Sequence, residues 1–131
     1  MERIFTPDEA NALLPELRPL VDEMVSAKRD LDEAQERAEE VSARISGNGG
    51  GLPPDQLAAV HDLVSRRATV LARALEQVQS LGVIVKDLDS GLVDFPSVRE
   101  GEEVLLCWQL GEDAVAFWHG YEDGYAGRRP I

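Results

Sequence analysis

The sequence predicts an α+β fold: a long antiparallel helical hairpin, coiled-coil-like, followed by a small four-stranded antiparallel β-meander. Three observations predict it. Apolar residues recur at alternating spacings of three and four from Leu17 to Ile45, and at spacings of three or four from Leu57 to Val78. A run of glycines, Gly49-Gly50-Gly51, separates the two periodic stretches. Beyond Gly82 the period changes to two, with turn residues every few positions, the mark of short strands joined by tight turns.

The first helix opens at Thr6-Pro7-Asp8-Glu9. Thr6 suits the N-cap, Pro7 the first helical position, and Glu9 completes a capping box. Phe5, just ahead of the cap, is placed to staple onto the first turn. Pro15 and Pro19 each remove a backbone donor and crowd the preceding turn, which predicts either a short helix near 7–14 with a new start or a kinked continuation. Leu17, Leu20, Met24, Ala27, Leu31, Ala34, Ala38, Val41 and Ile45 then form a coiled-coil seam. The charges between them form a solvated face.

The glycine-rich tip, 47–52, ends this helix, because glycine is preferred past a C-cap and a run of it holds no regular structure cheaply. It is no phosphate loop: it follows a helix and lacks the Lys-Ser/Thr pair. The second helix covers roughly 55–80, with Leu57, Val60, Val64, Ala68, Leu71, Leu75 and Val78 as its stripe and Leu63 and Val70 widening it. A stripe that wide touches more than one neighbour. The sheet covers part of it, and a second protomer is the expected cover for the rest.

The expected strands are Val83–Lys86, Leu92–Phe95 closed by Pro96, Glu103–Leu110, and Ala114–Trp118. Turns at Asp89-Ser90-Gly91, Arg99-Glu100-Gly101-Glu102 and Gly111-Glu112-Asp113 join them. His119 to Ile131 reads as an ordered loop, since Tyr121, Tyr125 and Ile131 are costly to leave in water. The whole chain, 1–131, reads as one domain, with the hairpin over 6–81 and the meander and C-terminal loop over 82–131.

Composition narrows the function. Apolar residues make up 44% and charged residues 29%, so the chain can bury a core. Its formal net charge of −12 argues against nucleic acid, whose binding depends on Lys and Arg neutralising phosphates, and against anionic membranes. The excess suits solubility, or a basic protein partner or a cation. Cys107 is the single cysteine, so an internal disulfide is excluded. The N-terminus has no apolar signal-peptide run and no stretch suits a membrane span. The expectation is a cytoplasmic protein.

Alternation sorts the strand residues onto two faces. One carries Val83, Val85, Val93, Phe95, Val104, Leu106, Trp108, Leu110, Val115 and Phe117 and should pack on the helices. The other mixes Lys86, Leu92, Asp94, Leu105, Cys107, Gln109, Ala116 and Trp118. A mixed face is where a pocket or interface is expected. Thiolate, imidazole and carboxylate suit zinc or iron, which makes Cys107, His119 and Glu112 the candidate metal ligands and a transition metal such as zinc the candidate cofactor. The spacing includes no C-x-x-C or H-x-x-x-H, and a lone buried cysteine is commonly a small hydrophobe. His61, on the second helix, reads as a packed or surface residue. Asp87-x-Asp89-x-Gly91 resembles a calcium loop but lacks the distal glutamate, and turn chemistry explains it. Asp94, an acid in mid-strand, needs a partner if buried, and Lys86 is the expected one. Lys86, Asp94, Trp118 and Arg128 are the candidate ligand-binding residues. Arg128 and Arg129 offer a fork for an anion, or a surface pair that offsets nearby acids.

Several blocks together resemble one family. Phe5-Thr6-Pro7-Asp8-Glu9-Ala10-Asn11 with Leu13-Leu14-Pro15 resembles the opening of the uncharacterised bacterial "domain of unknown function 2203" family. So do the run from Val85 to Pro96, Leu106-Cys107-Trp108 with Gly111-Glu112, Phe117-Trp118-His119, and Gly127-Arg128-Arg129-Pro130. The resemblance runs end to end. It implies no substrate, but its blocks fall on Asp94, Cys107, Glu112, Trp118 and His119.

Three readings of function stand side by side. The first is a homo-oligomeric binding or assembly module, a homodimer formed through the helices or with a protein partner. The second is a metal- or small-ligand-binding protein that uses the polar face of the sheet. The third is a small enzyme using Asp94, Cys107 or His119, although no nucleophile–base–orienter set is visible by spacing.

Overall fold

The computed structural model describes residues 3–47 and 54–131. Two helices pack against each other and lead into one antiparallel sheet. Helix α1 spans Pro7–Gly47 and α2 spans Pro54–Gln79. The strands are β1 (Ile84–Asp87), β2 (Leu92–Arg99), β3 (Glu102–Gln109), β4 (Phe117–His119) and β5 (Arg129–Pro130), in the order β1-β2-β3-β4-β5. The sheet therefore has a fifth strand beyond the four expected. The tip expected over 47–52 lies outside the described residues except for Gly47, which is the last residue of α1. Among the described residues no helix is long and apolar enough to cross a membrane.

The N-terminal capping box is formed. Thr6 N–H donates to Glu9 Oε1 at 2.9 Å, and Glu9 N–H donates to Thr6 Oγ1 at 3.1 Å. That bond from Thr6 is the main reason the Glu9 carboxyl titrates below its ordinary value. Pro15 and Pro19 do not divide the helix: α1 runs unbroken through both. Both rings face solvent, while Leu14, Leu17 and Val21 beside them are buried. Packing of that stripe outweighs the two missing backbone bonds.

Phe5 goes further than a staple. Its ring meets Phe95 edge-on at 5.2 Å, its N–H donates to Pro96 O, and its carbonyl accepts from Ser97 Oγ. The core forms where α1, the end of α2 and one face of the sheet meet, around Leu17, Met24, Val78, Phe95 and Trp108. The α2 stripe is covered only toward its C-terminal end. Ala74 and Val78 are buried, whereas Ala68 is exposed and Val70 is 49% exposed.

Pro96 lies inside β2 rather than closing it. The hairpin from β2 to β3 turns on Glu100 and Gly101, both at positive φ (53° and 80°), the signature of the two-residue turn whose twist matches its strands. Asp87 Oδ2 accepts from both N–H and Oγ of Ser90, so the Asp87–Gly91 segment is a turn held by its own side chain.

The last expected strand shifts along the chain. Residues 114–116 are not strand, and β4 holds Phe117–His119. Asn11 on α1 clamps the segment before it, accepting from Val115 N–H at 2.8 Å and donating to Val115 O at 3.1 Å. In the resulting register Trp118 pairs with Leu106 and Phe117 with Cys107. Trp118 therefore sits on the helix-facing side, packed against the core, and Phe117 on the mixed face. This reverses the assignment from alternation. The C-terminal segment carries a short 3-10 turn (Tyr125–Gly127) and β5. Tyr121, Tyr125 and Ile131 are exposed despite their size.

Candidate functional site

The mixed face of the sheet holds three chemically active side chains, one on each of three adjacent strands. Asp94 on β2 pairs in register with Cys107 on β3, and Leu105, two residues before Cys107, pairs with His119 on β4. Side chains paired across strands share a face, so register alone brings the carboxylate, thiol and imidazole together. Their ligating atoms all lie within 4.8 Å of one another. All three residues are almost wholly buried: Asp94 is 1%, Cys107 0% and His119 3% exposed.

His119 is fixed at both ring nitrogens. Nδ1 lies 2.8 Å from the carbonyl of Gly120, and Nε2 lies 3.1 Å from Asp94 Oδ1. A carbonyl only accepts, so Nδ1 carries the proton. The neutral ring therefore turns its Nε2 lone pair toward Asp94, and one proton serves the Asp94–His119 contact. Among the described residues Asp94 Oδ2 is buried with no geometric hydrogen-bond partner. Burial raises the Asp94 pKa above the ordinary carboxyl value, and the hydrogen bond shared with His119 opposes that rise. Burial, followed by the charge of Asp94, pushes the Cys107 thiol up to about 12. The thiol is thus protonated at neutral pH, which is unlike an activated nucleophile, whose pKa is lowered.

The segment after β4 returns across this face. The Arg128 guanidinium lies 3.9 Å from the centre of the Phe117 ring and 4.6 Å from that of Tyr125. It is also bound by both oxygens of Glu112, at 3.1 and 2.9 Å. Glu112 Oε1 further accepts from Gln109 N–H at 2.7 Å, and its backbone carbonyl accepts from Trp108 Nε1. Glu112 is therefore a turn anchor and a counter-ion for Arg128, and it lies outside the Asp94–Cys107–His119 group. Among the described residues Arg128 Nε is buried without a partner, and the Arg128 charge partly offsets the upward push on Cys107.

The other expected site residues lie elsewhere. Lys86 is exposed, at the irregularity between Val85 and Asp87 where β1 shifts against β2. Its charge acts on Asp94 from a distance, and the hydrogen-bonding partner is His119 instead. Trp118 is stacked by Arg99 at 4.8 Å and Arg129 at 5.4 Å on the opposite side of the sheet. His61 is exposed on α2. Nothing in the residue pattern marks Asn11 as a polar anchor beyond its place in the opening block.

Fold and site together define an α+β protein in which a helical hairpin backs an antiparallel sheet and a buried Asp–Cys–His group lies on the sheet's far face. The chain belongs to the family described as uncharacterized conserved protein, DUF2203, whose model matches residues 3–131. No curated protein and no solved structure matches it significantly.

Proposed function

We propose that this protein binds a divalent transition metal of the zinc class through Asp94, Cys107 and His119. The observation that carries the reading is the buried clustering of a carboxylate, a thiol and an imidazole, their ligand atoms all within 4.8 Å of one another, with the imidazole Nδ1–H already given to a backbone carbonyl. A metal-bound histidine is oriented in this manner, with one nitrogen donating to a carbonyl and the other free to ligate. Nitrogen, sulfur and oxygen donors together suit zinc. Bonds of about 2.0–2.3 Å set tetrahedral ligand atoms roughly 3.3–3.7 Å apart, so the wider pairs of the group, which lie within 4.8 Å, draw in while the 3.1 Å Nε2–Oδ1 pair opens slightly to close on an ion. Three protein ligands leave one position for an exogenous one.

Elemental analysis of untagged protein purified without chelators tests this. The expected result is about one metal per chain, lost in Cys107→Ser and His119→Ala. Cobalt(II) added to apoprotein gives an independent reading, because tetrahedral thiolate coordination produces an intense charge-transfer band. Protein that is empty as purified, takes up no zinc and gives no such band with cobalt overturns the reading.

A second reading, self-assembly through the helices, is favoured by the uncovered part of the α2 stripe at Leu63, Ala68 and Val70. Light scattering at micromolar concentration tests it, and a monomer overturns it.

A further inference from the structure

Along one side of the hairpin α1 and α2 leave a continuous groove, and its two banks differ in charge. The α1 bank carries Asp22, Glu23, Asp30 and Glu33, with Arg37 at one end. The α2 bank carries Arg66, Arg67 and Arg73. Between them the floor is apolar. Ala27 and Ala34 of α1 lie low and buried, and Leu63 and Val70 stand on α2 one heptad apart. Val70 is 49% exposed, on the part of α2 that the sheet and α1 leave uncovered.

We infer, resting on the self-assembly reading above, that this groove is the face on which a second copy of the chain docks, α1 of each copy lying against α2 of the other in a closed four-helix layer. Charge selects both the occupant and the geometry. The chain carries a formal net charge of −12, with only 13 Lys and Arg, so copies repel unless they meet where the cations are gathered. The α2 bank is such a place, and the acidic α1 bank of the same molecule complements it. A twofold axis running along the groove, parallel to the helices, sets each acidic bank opposite the other copy's arginines. An axis across the groove sets acid on acid, which is strongly disfavoured. The contact is isologous and therefore closes at two copies. It also brings Leu63 and Val70 of each copy onto the small alanine positions of the other, as knobs meet holes between packed helices.

Sedimentation velocity and light scattering on the full chain test the inference. The expected mass is twice 14.4 kDa. Val70→Glu, a change at an exposed position that leaves the helical circular dichroism intact, is expected to weaken the dimer by more than about tenfold, because it places a carboxylate in a closed apolar contact. Reversing the α2 bank (Arg66→Glu, Arg67→Glu, Arg73→Glu) makes both banks acidic and is expected to give monomer. Mixing that chain with one whose α1 bank is reversed to lysine restores a dimer containing one copy of each. Three results overturn the inference: a parent protein that is monomeric at micromolar concentration, a dimer unaffected by Val70→Glu, or open-ended assembly in place of a dimer.

Discussion

His119 Nε2 and Asp94 Oδ1 stand 3.1 Å apart on the sheet face turned away from the helices, reaching toward each other from strands that flank the one bearing Cys107. Neither side chain has access to water that could replace the other, since Asp94 is 1% and His119 3% exposed. Because Nδ1–H is given to the Gly120 carbonyl, the contact at Nε2 holds a single proton. That constraint makes the pair a unit whose members are not independent.

Removing one member leaves the other stranded. His119→Ala is expected to lower the unfolding free energy by about 2–4 kcal/mol, the range for a buried polar group that loses its partner. Asp94→Asn combined with His119→Ala should cost less than the sum of the single changes, because the single changes leave an orphan that the double change softens. Chemical denaturation of the four proteins in that cycle measures it. Additive losses would mean the two side chains act independently.

Cys107 makes stability depend on alkaline pH. Its thiol is pushed up to about 12 in the folded protein, chiefly by burial, against an ordinary value of 9.0. A raised folded pKa gives stability that is fully present below the unfolded value and is lost as pH rises through the folded one. The unfolded chain releases the thiol proton above about pH 9, while the folded chain keeps it. The unfolding free energy of the metal-free protein should therefore fall between pH 9 and 12. Cys107→Ala lacks that component, so the gap between the two pH profiles isolates it. A thiol reagent at pH 8 should label Cys107 slowly in the native protein and quickly in denaturant.

On the proposed zinc reading, binding would reverse the thiol's preference. A coordinating cysteine is deprotonated outright, so zinc added to metal-free protein in weak buffer at pH 7 should release protons. Asp94→Asn, which keeps the size and removes the charge, should weaken zinc binding by more than about tenfold. Competition with a chromogenic chelator checks the affinity, and a pH electrode or indicator dye checks the proton release.

Gly91 tests the seam between turn and hairpin. Its φ is +70°, and a Cβ there would stand 2.9 Å from Leu110 Cβ and 2.9 Å from Val21 Cγ1. Both neighbours are held by packing, and the backbone conformation is itself costly for an L side chain. Gly91→Ala should destabilise by about 1–3 kcal/mol. Gly111→Ala is the control for φ alone: its φ is +103°, but among the described residues beyond its chain neighbours no atom lies within 4 Å of the added Cβ. Thermal melts should show the larger drop for Gly91→Ala.

The N-terminal box gives the simplest case. Thr6→Ala removes the oxygen that accepts from Glu9 N–H and should cost about 1 kcal/mol. Thr6→Ser should restore most of the loss, as measured by denaturant midpoint.

Much of the fold is legible in the residues alone, because local chemistry governs it. The capping box, the two heptad stripes, glycine at the end of α2 and the Glu100-Gly101 turn each need only neighbours in sequence. Asp94 as a buried acid that needs a partner was legible for the same reason: it stands mid-strand among apolar residues. Its partner was not. Alternation assigns faces within one strand, whereas the partner depends on register between strands, and a slip of one residue exchanges the two faces. The pattern from Ala114 to Trp118 placed Trp118 on the mixed face and left His119 with the opposite parity. The clamp between Asn11 and Val115 instead takes up the chain before Phe117, so the strand begins later and His119 arrives on the face of Cys107 and Asp94. By itself the sequence determined the hairpin, the strands' approximate places and the stock of reactive side chains. Only the tertiary structure decided which of them meet, because a polar contact from α1 sets the register of β4 from outside the strand.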